Sequence, residues 1–237
     1  MLRRLTLASL AEEITDRGEL PVAEFAVLLR ALNVPGPCFL VYGSSFIGCG
    51  AQFVVRQGEI GFISKPGAGT SIVALKSPKF TLDAEERLDL STEIAWRQVR
   101  DLIVEVAALC HPNLRPHPNI VDIIGWGFDK SWHNPPFLAL ELADGDLEGL
   151  LKSDNPLSFE NRRHIISDIA SALDAIHEIG LIHGDLKPEN ILVFKRQSLY
   201  IAKLSDFGSS ADLTKETVLR GLGTVGWRAP EIGRAHV

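Results

Sequence analysis

Residues 183–190 read His-Gly-Asp-Leu-Lys-Pro-Glu-Asn, and this octapeptide is the most informative stretch of the sequence. It lies between a segment of helical spacing and a short apolar run of strand length, so we expect a loop. The loop carries a carboxylate at Asp185, an ammonium at Lys187 and an amide at Asn190. Together these groups can orient a hydroxyl nucleophile, neutralise a phosphate and bind a metal ion. The simpler alternative is that Asp and Asn cap turns around Pro188.

Two further motifs lie downstream of this loop. Asp-Phe-Gly at residues 206–208 follows the next apolar run and adds a second carboxylate. Residues 223–231 read Gly-Thr-Val-Gly-Trp-Arg-Ala-Pro-Glu. Each is weak alone, since any strand exit can carry Asp-Phe-Gly, and Ala-Pro-Glu by itself indicates only a helix start with Pro in its first turn. Their order and spacing favour chemistry over turn capping.

The rest of the chain alternates strand and helix patterns. Short β-rich runs predict an antiparallel sheet, and they occupy residues 39–42, 52–56, 59–63 and 71–76. Apolar spacing predicts helices over residues 98–109 and 158–179, with Ser158 as N-cap and Gly180 ending the second helix. The predicted apolar stripe of the second helix consists of Ile165, Ile166, Ile169, Leu173 and Ile176. Runs of strand length also occupy residues 120–124, 137–140, 191–194 and 200–204, and Asp144-Gly145-Asp146 reads as a turn.

In this order, the motifs resemble the eukaryotic protein kinase domain of the serine/threonine type. The resemblance covers residues 38–237 and implies an α+β, two-lobed fold. It places an antiparallel β-sheet N-lobe at residues 38–141, a hinge at 142–146 and an incomplete helical C-lobe at 147–237, because the family continues past Ala-Pro-Glu with several helices. Residues 1–37 form a predicted N-terminal helical leader, whose apolar stripe consists of Leu20, Val22, Phe25, Leu28 and Leu29.

The resemblance also implies roles for the loop residues. Asp185 accepts the proton of the substrate hydroxyl, Lys187 contacts the transferred phosphoryl group, and Thr224 hydrogen-bonds near both. Asn190 and Asp206 bind the Mg²⁺ that accompanies ATP. Lys187, together with the Gly-Thr and Ala-Pro-Glu segment, points to serine or threonine rather than tyrosine substrates.

The N-terminal half supplies the expected nucleotide site. Residues 48–55 resemble a kinase glycine-rich loop, in which glycines let backbone amides approach phosphates, although Phe53 stands where a third glycine is usual. Lys76 is implied to contact the α- and β-phosphates, and Glu105 to orient it. The implied ATP-contacting residues are Gly48, Gly50, Val55, Ala74, Lys76, Glu105, Leu140, Glu141 and Ala143.

Two of these assignments depend on the resemblance in detail. Glu105 is selected as the partner of Lys76 by its place in the helix, with Glu93 and Glu86 as alternatives. Leu140 is expected at the back of the adenine pocket, and the backbone from Glu141 to Ala143 is expected to meet the adenine edge. An apolar edge strand without a ligand has the same pattern.

Gly184 replaces the arginine that commonly precedes the catalytic aspartate and reads a phosphate on the activation segment. Activity is therefore expected not to require phosphorylation of that segment, whose hydroxyl residues are Ser209, Ser210, Thr214 and Thr217. The His-Gly-Asp variant and the sequence of residues 117–127 resemble those of kinase-like proteins from filamentous fungi.

Three function classes follow. The first is a protein serine/threonine kinase that transfers the γ-phosphoryl group of ATP to a protein hydroxyl. The second is a truncated or pseudokinase module that binds nucleotide and regulates without phosphotransfer, as the altered glycine loop and missing helices suggest. The third is a small-molecule phosphotransferase of the same fold, a class that usually lacks the context of Lys187.

Composition sets broader bounds. The chain has 237 residues, of which 46% are hydrophobic and 23% charged, enough for one sizeable domain or two small lobes. A net charge of −6 disfavours nucleic acid and anionic membranes as partners, and three scattered cysteines favour a reducing compartment. We expect a cytoplasmic protein, with the nucleus as alternative, acting on a protein substrate with Ser or Thr. A further partner is expected to cover the base of the incomplete C-lobe.

Overall fold

The computed structural model describes residues 19–21, 29–30, 32–50, 53–62, 69–79, 87–89, 93–128, 137–154, 156–212 and 223–228. The chain divides into two compact units. The first comprises Met1–Cys110 and Asp122–Leu142, and the second His111–Val121 and Ala143–Val237. No helix in the described ranges is both long and apolar enough to cross a membrane.

The first unit is built on a closed barrel. Its strands are β1 (Glu19–Pro21), β2 (Cys38–Cys49), β3 (Phe53–Phe62), β4 (Ser71–Pro78), β5 (Arg87–Asp89), β6 (Ile123–Phe128) and β7 (Phe137–Glu141). The barrel order is β2-β3-β4-β7-β6, and β1 pairs separately with β5. Neighbouring barrel strands are antiparallel except β2 and β6, whose short parallel pairing closes the barrel. The antiparallel sheet is confirmed, and its closure was not foreseen.

Alternation along the strands separates the two faces of the barrel. The interior holds a core cluster of Cys38, Ile60, Val73, Leu75, Phe137 and Ala139. Residues that alternate with these, including Ala74 and Lys76, lie on the outer face. Helix α1 (Glu93–Leu109) contacts β4, and Leu102 and Val106 are buried on it, so its apolar stripe is covered.

One strand is longer than its sequence pattern indicates. The sequence pattern predicts separate runs at 52–56 and 59–63, but a single strand, β3, contains Gly58 without a turn. A Cβ at position 58 would meet the side chains of Leu75 and Leu40, so glycine makes room for these neighbours inside the barrel. Gly58 is therefore a packing residue and not a strand breaker.

The predicted leader at residues 1–37 is partly a component of the first unit. Leu20 was assigned to a helix but lies in β1, opposite Leu88 of β5. The Pro35 carbonyl accepts a 3.1 Å hydrogen bond from the backbone N–H of Trp126 in β6. Leu29 of the predicted stripe is helical and buried, whereas Val22, Phe25 and Leu28 lie outside the described residues.

His111–Val121 belongs to the second unit, although the sequence placed this segment in the N-lobe. Its backbone explains why: Val121 donates to the Leu204 carbonyl at 3.0 Å, and Leu204 donates to the Asn119 carbonyl at 2.8 Å. The strand predicted at 120–124 therefore begins only at its fourth residue, where β6 starts.

The described part of the second unit contains two α-helices and several short strands. Its elements are β8 (Gly145–Asp146), α2 (Leu147–Lys152), α3 (Phe159–Glu178), β9 (Leu181–Ile182), β10 (Ile191–Arg196), β11 (Leu199–Leu204) and β12 (Ala211–Asp212). Strands β10 and β11 form an antiparallel hairpin, β8 pairs with β10, and β12 pairs with β9. The turn predicted at residues 144–146 is thus in part strand β8.

Helix α3 confirms the predicted span and both of its ends. The Ser158 hydroxyl accepts from the Asn161 amide at 3.1 Å, and Gly180 follows the helix with a φ of 75°. Ile165 is buried with residues of β10 and β11, but Ile166 is 67% exposed. The predicted stripe was wrong at Ile166, because adjacent residues on a helix point about 100° apart at 3.6 residues per turn.

Closure of the barrel gives a stability prediction. Gly127 lies opposite Cys38, and a Cβ there would contact the Cys38 carbonyl and lie 2.8 Å from the Phe137 ring. We expect Gly127→Ala to lower the free energy of unfolding by about 1–3 kcal/mol through overpacking, measured by urea denaturation. Gly145→Ala is the control, since nothing lies within 4 Å of its Cβ position. Equal effects of the two changes would contradict the close approach of β2 and β6.

Candidate active site

The loop at residues 183–190 connects β9 to β10 and ends in a 3₁₀ turn at Pro188–Asn190. Its first residue, His183, is 2% exposed. The His183 Nδ1 accepts from the Asp185 amide at 3.3 Å, so Nε2 is the donor to the Ser205 carbonyl at 2.9 Å. Burial lowers the pKa of His183, which agrees with a neutral ring that donates once and accepts once. His183 thus fixes the backbone of Asp185.

Gly184 has a φ of 80°, a left-handed conformation that glycine adopts without a Cβ clash. Its carbonyl approaches a second glycine, since a Cβ on Gly223 would lie only 3.0 Å from the Gly184 oxygen. These two glycines let residues 223–228 approach the loop closely enough for Thr224 to reach Asp185.

The Asp185 carboxylate is hydrogen-bonded on both oxygens. Oδ1 accepts from the Thr224 amide at 2.8 Å and the Thr224 hydroxyl at 2.7 Å. Oδ2 accepts from Lys187 Nζ at 2.7 Å, and Nζ also donates to the Thr224 hydroxyl at 2.9 Å. Carboxylate, ammonium and hydroxyl therefore form one closed triangle, which brings together the three residues predicted to be catalytic.

Hydrogen bonding decides the charge of Asp185. Burial alone would raise the pKa of this carboxyl group, but the hydrogen bonds from Lys187 and Thr224 outweigh burial and lower the pKa below its ordinary value. Asp185 is therefore a carboxylate at neutral pH, ready to accept a further hydrogen bond.

Asn190 is buried beside this carboxylate. Its Nδ2 donates to the Asp185 backbone carbonyl at 2.8 Å and to Oδ2 at 3.2 Å. Because Nδ2 faces Asp185, Oδ1 is the atom of this amide that can act as an acceptor or metal ligand. The Ser205 hydroxyl and amide both donate to the Asn190 carbonyl at 2.9 Å and hold the turn.

Asp206 adopts a left-handed backbone, with φ 62° and ψ 67°. This conformation is unfavourable for a residue other than glycine, so neighbouring packing must maintain it. The next residue, Phe207, is fully buried, and its ring meets the His183 ring edge-on at 5.1 Å. The Ser210 hydroxyl donates to the His183 carbonyl at 3.2 Å. Asp206 is thus anchored to the same histidine that positions Asp185.

Lys76 and Glu105 meet within the first unit. Nζ lies 2.8 Å from Oε1 and 2.6 Å from Oε2 of Glu105, and both side chains are buried. The sequence predicted this pairing. Of the alternatives, Glu86 lies outside the described residues and Glu93 is the first residue of α1.

Strand register places three further predicted nucleotide contacts beside Lys76. Val55 is paired with Lys76, and Ala74 is paired with Leu140. Because paired residues and residues two apart share a face of a sheet, all four side chains lie on the outer face of the barrel. Gly48 is paired with Val55 at the end of β2, and Gly50 follows in the loop.

The predicted hinge residues are separated by the unit boundary. The Glu141 amide donates to the Asp122 carbonyl at 3.0 Å, and Glu141 Oε1 accepts from the Asp122 amide at 2.7 Å. The Glu141 amide is therefore already hydrogen-bonded within the first unit. Ala143 belongs to the second unit.

Two features were missed or left open at the sequence level. Phe53 was treated as a missing glycine, but its ring lies 4.6 Å from the Lys76 ammonium. The sequence signal for this contact was the position of Phe53 two residues before Val55, because residues two apart in a strand share a face.

Ser210 is 5% exposed, which makes it a poor candidate for phosphorylation. Other predicted features lie outside the described residues, namely Thr214, Thr217, the tip of the glycine-rich loop at residues 51–52 and the Ala-Pro-Glu motif at 229–231.

Comparison with known proteins gives one family. The model of the protein kinase domain matches residues 70–236. The chain is 29% identical over 192 residues to a probable serine/threonine-protein kinase PknB of Lactococcus lactis, covering 79% of the chain and 27% of that protein. It is 28% identical over 206 residues to a calcium and calcium/calmodulin-dependent serine/threonine-protein kinase of Lotus japonicus, covering 79% of the chain and 38% of that protein.

A shorter match reaches 36% identity over 118 residues with the serine/threonine-protein kinase PknH of Mycobacterium tuberculosis, covering 48% of the chain and 18% of that protein. The chain thus spans less than two-fifths of the length of these relatives. A strand-rich unit with a buried Lys–Glu pair and a second unit with an Asp–Lys–Thr triangle define a two-lobed α+β fold of the kinase class. The chain belongs to the protein kinase domain family.

The buried ion pair gives the second prediction. Glu105→Gln keeps the side-chain volume but removes the carboxylate that contacts the buried Lys76 ammonium at 2.6 Å, so the free energy of unfolding should fall by about 3–5 kcal/mol. Replacing both residues, as Lys76→Met with Glu105→Leu, should recover most of that loss. Urea denaturation measures both variants.

The matched control is Glu148→Gln, which removes an exposed ion pair of 2.8 Å with Lys152. Such surface pairs contribute little, so no measurable change is expected. If Glu105→Gln were no more destabilising than Glu148→Gln, the buried pairing would be contradicted.

Proposed function

We propose that this protein is a serine/threonine kinase that transfers the γ-phosphoryl group of ATP to a protein hydroxyl. The observation that carries the proposal is the triangle of Asp185, Lys187 and Thr224, because it combines an ionised acceptor with a cation at one point. Membership of the protein kinase family supports the same reaction. The alternative of a module without phosphotransfer is not favoured, since residues for each chemical role are present.

Asp185 would orient the nucleophile. Its carboxylate is held by donors from two segments and would accept one more hydrogen bond, from the substrate hydroxyl. A carboxylate with a lowered pKa is a weak base, so it would take the proton late, when the bond to phosphorus is largely formed. Its main contribution is alignment, which suits the loose transition state of phosphoryl transfer.

Lys187 would stabilise charge beside the reacting hydroxyl. Its ammonium lies 2.7 Å from the Asp185 carboxylate, and therefore within reach of a phosphoryl group that approaches the same hydroxyl. Thr224 holds both groups through one hydroxyl, which donates to Asp185 and accepts from Lys187. Residues 223–228 would thus couple the placement of the substrate to the geometry of the catalytic loop.

The donor set fits Mg²⁺. The Asn190 Oδ1 and the Asp206 carboxylate are hard oxygen ligands, and Mg²⁺ commonly takes one or two carboxylates together with substrate phosphates. Among the described residues, no group of three or more His, Cys, Asp or Glu could hold a metal ion, so the phosphates would complete the coordination. When bound, the ion neutralises phosphate charge. Asp185 then needs only to hold the hydroxyl.

The first unit would bind the nucleotide. Glu105 holds Lys76 on the barrel face shared by Val55, Ala74 and Leu140, so a cation lies next to apolar side chains suited to a planar base. We propose that ATP binds on this face, with its phosphates directed to Lys76.

The location and partners follow from the same reaction. The three cysteines are free thiols, which agrees with a reducing compartment, and we propose the cytoplasm with the nucleus as alternative. The proposed substrate is a protein with an accessible serine or threonine.

Phosphotransfer tests the proposal directly. Transfer from radiolabelled Mg·ATP to a generic protein substrate should fall at least about 100-fold in Asp185→Ala, since a positioned acid–base group contributes about 10²–10⁴-fold. Asp206→Ala should lose magnesium-dependent transfer. Asp174→Ala, an exposed aspartate on α3, is the matched control and should stay within twofold of the wild type.

Phosphoamino-acid analysis should find phosphoserine and phosphothreonine. Calorimetric titration with Mg·ATP distinguishes the proposed kinase from the binding module without phosphotransfer. Nucleotide binding without transfer would replace the proposal with the binding-module alternative, and transfer that survives Asp185→Ala would contradict the role of the loop.

A further inference from the structure

Phe53 stands at the position of the glycine-rich loop where the family resemblance predicts a third glycine. In the structure its side chain is buried, and the ring lies over Lys76 with 4.6 Å between the ring centroid and Nζ. An ammonium within about 6 Å of an aromatic centroid is attracted by the negative face of the ring. The contact is therefore attractive and not incidental packing.

The strand register fixes this contact. Phe53 is paired with Pro78 and Val55 with Lys76, so Phe53 and Lys76 are diagonal neighbours on the same barrel face. Aromatic and long side chains reach each other across such a diagonal. The loop is tied at both of its described ends, since the Gly50 amide donates to the Phe53 carbonyl at 3.0 Å and Lys79 Nζ donates to the Gly50 carbonyl.

Lys76 is consequently held from two directions. Glu105 contacts Nζ through both carboxylate oxygens, and the Phe53 ring covers another side of the ammonium. Lys76 is only 6% exposed. A glycine at position 53 would remove the ring from this side of Nζ, and with it the attraction of the aromatic face for the ammonium.

We propose that Phe53 is a positioning residue for Lys76 and thereby sets the affinity of this site for the phosphates of the nucleotide. The inference rests on the proposed function for its ligand, but the contact itself does not. By covering the ammonium and holding it against Glu105, the ring presents Lys76 to a phosphate without reorganisation. The Phe53 side chain thus restrains Lys76, which the glycine usual at this position could not do because it has no side chain.

Lysine reactivity tests the contact without any nucleotide. Low-conversion acetylation with an N-hydroxysuccinimide ester, quantified by mass spectrometry, measures how fast Lys76 is modified. Phe53→Leu keeps an apolar side chain but removes the aromatic face, and should speed modification of Lys76 about threefold or more, while Phe53→Tyr should stay within twofold of the wild type.

The second unit offers a matched control, because the Phe194 ring lies 5.1 Å from Lys203 Nζ. Phe194→Leu should speed modification of Lys203 and leave Lys76 unchanged, whereas Phe53→Leu should do the reverse. Unchanged modification of Lys76 in Phe53→Leu, or equal acceleration at both lysines, would overturn the proposal.

Nucleotide affinity tests the consequence. Phe53→Leu should weaken binding of Mg·ATP about threefold to tenfold while affinity for adenosine, which lacks phosphates, stays within twofold. A loss of both affinities would mean a merely structural role and would overturn the inference. If the wild-type chain binds no nucleotide, the proposed function fails, but the acetylation experiment still decides whether Phe53 positions Lys76.

Discussion

The hydrogen bonds to the Asp185 carboxylate are the constraint on which the second unit depends. Lys187 and Asn190 donate to this side chain from the loop that carries it, and Thr224 donates from a distant segment. A partly buried carboxylate without such donors would be costly, so the segments around it must approach closely. The positive φ of Gly184 and the buried side chain of His183 help to hold this carboxylate in place.

The first unit solves a similar problem with a different geometry. Lys76 and Glu105 are buried charges that satisfy each other, and their meeting requires α1 to lie against β4 on the outer face of the barrel. Phe53 adds an aromatic contact to the same ammonium. In both units a charged side chain is fixed by several neighbours before any ligand binds, and such preorganisation is what electrostatic catalysis requires.

Local patterns were predictable, and long-range closure was not. Helix α3 followed from its cap at Ser158 and the glycine after it, and the Lys76–Glu105 pair followed from family resemblance. The parallel pairing of β2 with β6 could not be foreseen, because it joins residues about 90 positions apart with no local signal. The assignment of Leu20 to a helix failed for the same reason, since its pairing with Leu88 in β5 overrides local periodicity. Phe53 could be read as a departure, but only the strand register showed what it contacts.

The central claim is that the triangle of Asp185, Lys187 and Thr224 performs phosphoryl transfer as a unit. The most direct measurement is kcat for transfer from Mg·ATP in Thr224→Ser and Thr224→Val, because serine keeps the hydroxyl and valine replaces it with a methyl group of similar size. We expect Thr224→Ser to stay within about threefold of the wild type and Thr224→Val to fall at least about tenfold, since hydrogen bonds to charged groups contribute about 1.5–3 kcal/mol. Equal rates for the two variants would contradict the account, because the hydroxyl that joins Asp185 to Lys187 would then have no part in the reaction.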